Sequence, residues 1–304
     1  FLPLSGTPIE NKPVELYNVL KLLDDDMFPN FHTYTQKYCN PKYNGYGWDY
    51  SGSSKTDELH YLLKSTYMLR RLKKDVMPEL PPITFSFVPL ELDNAKEYNE
   101  AERDFIEFVR KQKGEEAANR ISEVESIAKI EGLKQIAVKG KMRQVKEWIS
   151  DFLESDQKLI VFATHKFVVE ELMSEFKYVA VKIDGSCSSI KKQKAKDDFQ
   201  TKDSIRLFIG NIQAASEAIT LTASSTVIFV ELPWKPTAVS QACARAHRFT
   251  QKFAVNVHFL LVSGTIEEKI AKILDRKIKV IDAIIDGKVT EQENLLTELM
   301  KMYK

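Results

Sequence analysis

Two arginines and a glutamine at helical spacing are the residues of this sequence best suited to chemistry. Gln241, Arg245 and Arg248 follow one another at intervals of four and three positions, so on a helix they would project from one face. Arginine is always charged, and its planar fork can engage two phosphate oxygens at once. An arginine placed at a transferring phosphoryl group can raise the rate by roughly 10³–10⁵-fold. The spacing therefore suits a triphosphate-binding face; the alternative is a solvated basic helix face.

The sequence lacks the element that would hold the phosphates. A phosphate loop needs GxxxxGK followed by serine or threonine. The Gly-Lys pairs, Gly140–Lys141 and Gly287–Lys288, are followed by Met142 and Val289. The string DELH at 57–60 resembles a magnesium-binding acidic box, but its polar, helix-forming context indicates an unrelated segment. Magnesium and the β,γ-phosphates therefore have no predicted holder in this sequence.

The elements that must position the arginines alternate between strands and helices from residue 141 onward. Helical patterns between apolar strands, joined by short connections, are typical of βαβ units and of a parallel sheet covered on both faces. We therefore predict an α/β fold. The predicted strands are 158–163, 179–183, 205–209, 227–231 and 255–262, and the predicted helices between them are 166–177, 188–200 and 237–248.

Helices dominate the prediction for the remaining parts of the chain. A strand end at 1–5 precedes a turn at Gly6–Pro8, and the chain beginning inside a strand suggests that a segment before it has been removed. The last helix, 265–285, carries an apolar stripe that we expect to pack on the sheet. The other predicted elements are helices from Pro13, at 28–39 and at 57–76, a loop at 41–56, a strand at 83–92 and a charged, protruding or bridging helix at 94–130.

Composition limits the possible functions. Hydrophobic residues make up 43% and charged residues 29%, which is ordinary for a protein with a core, and the net charge of +1 requires any nucleic-acid surface to be local. Three cysteines without a CxxC pair and five scattered histidines argue against a metal site or disulfide framework and fit reduced, intracellular thiols. No apolar run approaches the ~20 residues that span a bilayer.

Seven short segments in fixed order resemble motifs III to VI of the superfamily-two helicase-like motors, specifically their Swi/Snf branch. The RRLKKDV…LPP block at 70–82 separates that branch from RNA helicases. ELPW at 231–234 and IDAIIDGK at 281–288 look most like the annealing-helicase-like (HARP-like) subgroup. The segments are LSGTPIEN (4–11), LRRLKKDVMPELPP (69–82), LIVFATHK (159–166), IDGS (183–186), NIQAASEAITLTAS (211–224), ELPWKP (231–236) and QACARAHR (241–248).

This resemblance implies two RecA-like lobes that clamp one ATP and track along duplex DNA. The chain would hold the tail of the first lobe with a helical insertion (1–92), a helical linker (93–140), a complete second lobe (141–288) and a helical tail (289–304). The phosphate loop and the carboxylates for Mg²⁺ would belong to a missing N-terminal lobe or to a separate chain.

The resemblance also implies roles for individual residues. Arg245 and Arg248 would be catalytic arginine fingers that bind the nucleotide, and Gln241 would support them. Ser5, Gly6 and Thr7 would form the motif that couples hydrolysis to lobe movement. The implied DNA contacts are His165, Lys166, Asn211, Gln213, Thr220 and Thr222.

Two places depart from the family pattern. Ser216 and Ala218 stand where glycines are usual, with Glu217 between them, and Thr250 also replaces a glycine. Glycine permits close backbone approach and positive φ. These changes put efficient coupling to DNA in doubt.

Our leading hypothesis is an ATP-dependent, intracellular DNA translocase, nuclear in a eukaryote and cytoplasmic in a prokaryote, present here as the arginine-bearing half. Its partners would be duplex DNA, ATP with Mg²⁺ and the missing lobe, without a membrane. The alternative is a non-catalytic DNA- or partner-binding module, which the 216–218 substitutions favour. The RRLKKDV…LPP block argues against a third reading as an RNA-directed helicase.

Overall fold

Two compact units make up the chain. The computed structural model describes residues 2–43, 47–105, 107–108, 111, 125–215 and 219–287. The helical unit comprises Phe1–Glu79, Trp234–Ser240 and Lys272–Lys304, and the sheet unit comprises Leu80–Pro233 and Gln241–Ala271. The predicted segments 1–92, 93–140, 141–288 and 289–304 divide the chain differently and stay a prediction.

Short helices and a two-stranded hairpin form the first part of the helical unit. Its buried core draws on Leu20, Tyr34 and Leu59, and it includes Ile284 and Ile285 from near the end of the described chain. The elements are a 3₁₀ turn (Pro13–Leu16), α1 (Tyr17–Leu23), α2 (Phe31–Tyr38), the antiparallel pair β1 (Lys42–Tyr43) and β2 (Trp48–Asp49), α3 (Thr56–Leu62), a π-helical turn (Leu63–Tyr67) and α4 (Lys73–Val76).

Two predictions for this unit are wrong. Residues 2–5 form no strand, and Leu2 and Leu4 are 81% and 88% exposed, because none of the described residues pairs with their backbone. The predicted helix at 57–76 is interrupted after Tyr67 and resumes as α4 at Lys73. Between them Arg70 donates from Nε and Nη2 to the carboxylate of Asp286 at 2.5 and 3.1 Å, so a tertiary contact replaces the local helical pattern.

Strands and helices alternate through the sheet unit. Strand β3 (Ile83–Leu90), which sequence patterning groups with the preceding helices, belongs to this sheet. The other elements are α5 (Ala95–Arg103), α6 (Glu125–Leu153), β4 (Leu159–Ala163), α7 (Lys166–Glu175), β5 (Ala180–Ile183), α8 (Ser189–Thr201), β6 (Leu207–Asn211), α9 (Ile212–Ala215), β7 (Thr226–Phe229), α10 (Pro236–Ala246), β8 (Val255–Val262) and α11 (Ile266–Asp286). Residues 236–240 of α10 and 272–286 of α11 belong to the helical unit.

The six strands β3 to β8 form one parallel sheet in the order β3-β8-β7-β4-β6-β5. Every residue of the central strands β4 and β7 is buried. Strands covered on both faces have continuous apolar runs, which is why sequence patterning found them. The predicted α/β class is confirmed. Over the described ranges, no helix combines the length and apolarity needed to cross a membrane.

The charged stretch at 94–130 is not one continuous helix. It forms α5, breaks at Asp104 and is helical again at 105, 107–108, 111 and from Glu125, while residues 106, 109–110 and 112–124 lie outside the described residues. Tyr98 on α5 is only 1% exposed, and its hydroxyl accepts a hydrogen bond from the backbone N–H of Ile266 at 2.6 Å. The buried side chain of Tyr98 and its hydrogen bond therefore hold α5 against the start of α11, although most residues of α5 are polar.

The two halves of the apolar stripe on α11 pack in different cores. Ile266 and Ile270 are buried in the sheet unit. Ile281 and Ile285 pack instead into the apolar cluster of the helical unit. The prediction that the whole stripe packs on the sheet is therefore wrong for its second half.

Lys141 belongs to a buried ion pair. Its side chain is fully buried, and Nζ donates to Oε1 of Glu267 at 2.5 Å and to the carbonyl of Leu260 at 2.7 Å. The other carboxylate oxygen of Glu267 accepts from the N–H of Val262 at 3.0 Å. The Gly140–Lys141 pair thus joins α6 to the start of α11, consistent with its lacking a phosphate-loop sequence.

Candidate functional site

The proposed arginine fingers lie at the end of α10. Gln241 and Arg245 are on the helix, but α10 ends at Ala246 and Arg248 follows it. The backbone N–H of Arg248 donates to the carbonyl of Ala246, which no α-helix does. The prediction of a common helical face is therefore wrong for Arg248.

Both guanidinium groups nevertheless reach the same neighbouring segment, residues 219–220. Nη1 of Arg245 donates to the carbonyl of Ile219 at 3.4 Å, and Nη1 of Arg248 donates to Oγ1 of Thr220 at 3.0 Å. Their Nε atoms donate to carbonyls within the α10 segment, Gln241 O at 3.2 Å and Ala244 O at 2.9 Å. These hydrogen bonds orient two half-buried guanidinium groups on the same segment.

Gln251 is a site residue that the sequence reasoning missed. It is 5% exposed, and its side-chain amide hydrogen-bonds to the 219–224 segment and to the end of α10. Thr250, predicted to impair coupling because it replaces a glycine, has its hydroxyl 2.9 Å from that of Thr222. The sequence places Gln251 beside the predicted site, but its burial could not be inferred from local pattern.

The predicted site residues of the sheet unit fall into two groups at opposite edges of the sheet. His165, Lys166, Asn211 and Gln213 follow the carboxyl ends of β4 and β6, while Thr220, Thr222 and Arg248 precede the amino ends of β7 and β8. Ser224 fixes the second group there, since its hydroxyl donates to the carbonyl of Lys158, just before β4, at 2.6 Å. The arginines thus share an edge with the two threonines and not with His165.

Asn211 ties two strand ends together at the carboxyl edge. Its Nδ2 donates to the carbonyl of Thr164, which follows β4, at 2.7 Å. Its Oδ1 accepts from the backbone N–H of Gln213 at 3.1 Å, at the start of α9. Lys166 is exposed beside them and lies 3.3 Å from Glu170 on α7.

His165 is held between two carboxylates. Its Nδ1 contacts Oε1 of Glu231, and its Nε2 lies 2.6 Å from Oε1 of Glu131. The other oxygen of Glu231 accepts from the N–H groups of Thr164 and His165, both at 2.9 Å. Both ring nitrogens are engaged, so neither faces a phosphate in this arrangement. Glu231 lies two residues after the end of β7, and His165 lies two residues after the end of β4. This equivalent position after two apolar strands is the sequence signal that could have paired them.

The charge of this cluster follows from its surroundings. Burial lowers the pKa of His165. The hydrogen bonds and charges of Glu231 and then Glu131 raise it by more, so the net pKa is above the ordinary value. For Glu231 the directions are reversed. Burial raises its pKa, but the hydrogen bond and charge of His165 lower it by more, so the net pKa is below the usual range. Lys134 on α6 adds a positive charge 3.9 Å from Glu131.

We expect the His165 ring to stay protonated above about pH 6.5, the ordinary histidine pKa. Since the folded pKa is raised, the cluster's contribution to stability is full below the unfolded pKa and is lost as pH rises through the folded pKa. NMR titration of the Cε1–H signals measures this, with Glu231→Gln expected to shift the pKa of His165 downward. His258, whose pKa burial lowers, is an internal contrast. A His165 pKa at or below that of His258 would contradict the charged cluster.

The predicted coupling residues form a turn in the helical unit. The backbone N–H of Thr7 donates to Oγ of Ser5 at 3.0 Å. Gly6 has open space around it and no positive φ, so neither space nor backbone conformation requires a glycine there. Their role in coupling stays a prediction.

The ranges that the structure describes contain no group of three or more His, Cys, Asp or Glu residues arranged to hold a metal ion. The predicted 216–218 substitutions lie outside the described residues. The arrangement therefore offers oriented positive charge for an anion and no cluster of metal ligands.

Two family models match the chain. Residues 2–159, just over half of its length, match the family described as "SNF2-related domain". Residues 140–250 match "Helicase conserved C-terminal domain".

Curated relatives match nearly all of the chain. The SWI/SNF-related matrix-associated actin-dependent regulator of chromatin subfamily A-like protein 1 of Xenopus tropicalis is 34% identical over 282 residues, 91% of this chain and 29% of that protein. The DNA annealing helicase and endonuclease ZRANB3 of Homo sapiens is 34% identical over 295 residues, 94% of this chain and 27% of that protein. The chain thus spans less than a third of these relatives.

A solved structure, the C-terminal part of the Fun30 ATPase domain, superposes with a TM-score of 0.49 at 19% identity. The superposition covers 74% of this chain and 98% of that one.

Proposed function

Because the chain belongs to the SNF2-related domain family, we propose that it is the second-lobe part of a DNA-stimulated ATPase that moves on duplex DNA. The observation that carries this proposal is the arginine pair. Arg245 and Arg248 are half-buried, close together in the chain and both hydrogen-bonded to residues 219–220. Two such cations suit the triphosphate of ATP.

The proposed reaction is hydrolysis of the terminal phosphoanhydride. The oxygen of a water molecule forms a bond to the γ-phosphorus, and the bond from that phosphorus to the β,γ-bridging oxygen breaks. ADP leaves with the electron pair, and the attacking water gives up a proton to solvent as inorganic phosphate forms. Negative charge spreads over the transferring phosphoryl oxygens, and the forks of Arg245 and Arg248 stabilise it. Their fixed orientation lowers the reorganisation needed as this charge develops.

Gln241 fits a supporting role one turn before Arg245 on α10. Phosphate-loop and magnesium-binding residues are absent from the sequence, so ATP with Mg²⁺ requires the first lobe, or a separate chain, that carries them. We use the term complete motor for a protein that contains these 304 residues together with a phosphate loop. Ser5, Gly6 and Thr7 would then couple the two lobes.

Duplex DNA would contact hydroxyl, amide and ammonium groups. Thr220 and Thr222 lie at the arginine edge, and Asn211, Gln213 and Lys166 at the carboxyl edge. Such groups bind sugar-phosphate without reading base sequence. His165 is the exception among the predicted contacts, because Glu231 and Glu131 occupy its ring nitrogens and would repel phosphate.

We expect the purified chain alone to show no DNA-stimulated ATP hydrolysis, because its sequence contains no phosphate loop. Phosphate release with and without duplex DNA measures this. The Arg248→Ala variant of the same chain is the control, since turnover that persists in it comes from a contaminant. Turnover that is present in the unaltered chain and lost in the variant would show that the nucleotide site is complete after all.

A non-catalytic DNA- or partner-binding module is the second candidate, favoured by Ser216 and Ala218 in place of glycines. The two candidates differ in how DNA affinity responds to nucleotide. The DNA affinity of a motor depends on the bound nucleotide and on Arg245 and Arg248. A module binds DNA equally with and without ATP, and equally well in the arginine variants.

A further inference from the structure

Gln251 makes hydrogen bonds with both ends of its side chain. Nε2 donates toward three carbonyls: Ser224 at 2.9 Å, Ala246 at 3.2 Å and Thr222 at 3.4 Å. Oε1 accepts from the backbone N–H groups of Lys252 at 3.0 Å and Phe253 at 3.1 Å. The side chain is thus enclosed by main-chain groups of three segments.

These partners fix the orientation of the amide. The three groups around Nε2 are acceptors and the two around Oε1 are donors, so a flipped amide would oppose like groups at both ends. Glutamate has the same size and shape, yet it would place an oxygen against three carbonyl oxygens. The position therefore requires an uncharged amide and not merely a side chain of this length.

The segments that Gln251 joins are those that the arginines also bridge. The carbonyl of Arg245 accepts from the N–H of Leu221 at 2.8 Å. Nη1 of Arg248 reaches Thr220, and the hydroxyl of Thr250 meets that of Thr222. Gln251, at 5% exposure, is more deeply buried than the arginine and threonine side chains of this set. Its bonds are thus the best shielded from water, and a buried polar group that loses its partners is costly.

We propose that Gln251 is a positioning residue for the arginine site, holding the end of α10 against residues 219–224 so that Arg245 and Arg248 keep their orientation. It touches neither nucleotide nor DNA and acts through the backbone of its neighbours. The 219–224 segment, which carries Thr220 and Thr222, moves together with the arginines as one body. This assignment rests on the proposed function for its effect on catalysis, but the hydrogen bonding is testable without any ATPase activity.

Gln251→Glu is the sharpest test because it changes only the chemistry of one end of the side chain. Gln251→Met has a similar shape without hydrogen bonds, and it serves if the glutamate variant does not fold. Gln193→Glu is the matched control, since the same change is made on α8, where Gln193 is exposed and bonds only to Asp197 among the contacts described.

The first readout is hydrogen exchange of the Leu221 amide in the 304-residue chain. This amide bonds to Arg245 and reports whether the two segments stay together. We expect faster exchange in both Gln251 variants and no change in Gln193→Glu, while amides of the central strands β4 and β7 keep their protection. Unchanged exchange at Leu221 in the folded Gln251 variants would overturn the proposal.

The second readout is kcat and KM for ATP in the complete motor. Displacement of a charge-stabilising group by about 1 Å can cost about 100-fold, so we expect kcat to fall by about 10- to 100-fold, with a smaller change in KM. Faster hydrogen exchange at Leu221 with an unchanged kcat would show that Gln251 is only a structural residue and would contradict the positioning role. If Arg248→Ala also leaves kcat unchanged, the proposed function fails instead, which separates the two outcomes.

Discussion

Replacing Arg248 by alanine in the complete motor is expected to lower DNA-stimulated ATP hydrolysis by about 10³–10⁵-fold, the range measured for arginines at a transferring phosphoryl group. The physical reason is the loss of a cation that its neighbours already orient. Thr220 and Ala244 hold the guanidinium without cancelling its charge, so in the unaltered protein the charge remains available to the phosphoryl oxygens. The rate loss in Arg245→Ala is expected to lie in the same range, because the guanidinium of Arg245 donates to the neighbouring carbonyl of Ile219.

Steady-state rates, DNA affinity and thermal stability should be measured on the same preparations. Arg103→Ala, at an exposed position on α5, is the control for removing an arginine from this unit. Lysine variants refine the test, since lysine keeps the charge but lacks the planar fork. A folded Arg248→Ala protein that retains more than about a tenth of the normal rate would contradict the finger assignment, given the expected range.

Replacing Lys141 by methionine is expected to destabilise the sheet unit by about 3–5 kcal/mol, because it leaves the carboxylate of Glu267 buried without its cation. Lys141 is fully buried and Glu267 is 6% exposed, so water cannot take over the lost contacts. Denaturant unfolding followed by a probe in the sheet unit measures the change. The effect is expected on stability and not on nucleotide binding, because Lys141 belongs to no phosphate loop.

Two further variants separate burial from charge. The double variant Lys141→Met with Glu267→Leu should recover most of the stability, since apolar pairs commonly replace buried ion pairs at little net cost. Arg143→Met removes a cation two residues further along α6, where the ion pair with Asp93 is 58% and 44% exposed. An exposed pair contributes about 0–1 kcal/mol. Similar losses of unfolding free energy in Lys141→Met and Arg143→Met would show that burial of the Lys141–Glu267 pair does not cause the destabilisation.

The sequence predicted the family and most of the sheet. The resemblance to Swi/Snf motors and to annealing-helicase-like members is confirmed by the SNF2-related model and by the relatives at 34% identity. Strands β4, β7 and β8 were visible because burial on both faces demands apolar runs. Motif residues were visible for a different reason: their types and spacing are local properties of the chain.

Errors arose where a distant partner decides local conformation. The helix predicted at 57–76 is interrupted between Tyr67 and Lys73, where Arg70 pairs with Asp286, more than two hundred residues away. Arg248 lies off the helix that its spacing predicted, because α10 ends two residues earlier. Ile285 shares a stripe with Ile266, yet the two enter different cores. Periodicity shows that a residue is buried but not which neighbour buries it.

The arginine pair illustrates the division between sequence and structure. The sequence by itself determined that Arg245 and Arg248 are present, closely spaced and without a phosphate loop beside them. Only the tertiary structure decided that both lie against residues 219–220, that the buried amide of Gln251 joins the two segments, and that His165 is enclosed by carboxylates. Residue types follow from the chain alone, whereas a buried hydrogen-bond partner is chosen by packing between segments that are remote in sequence.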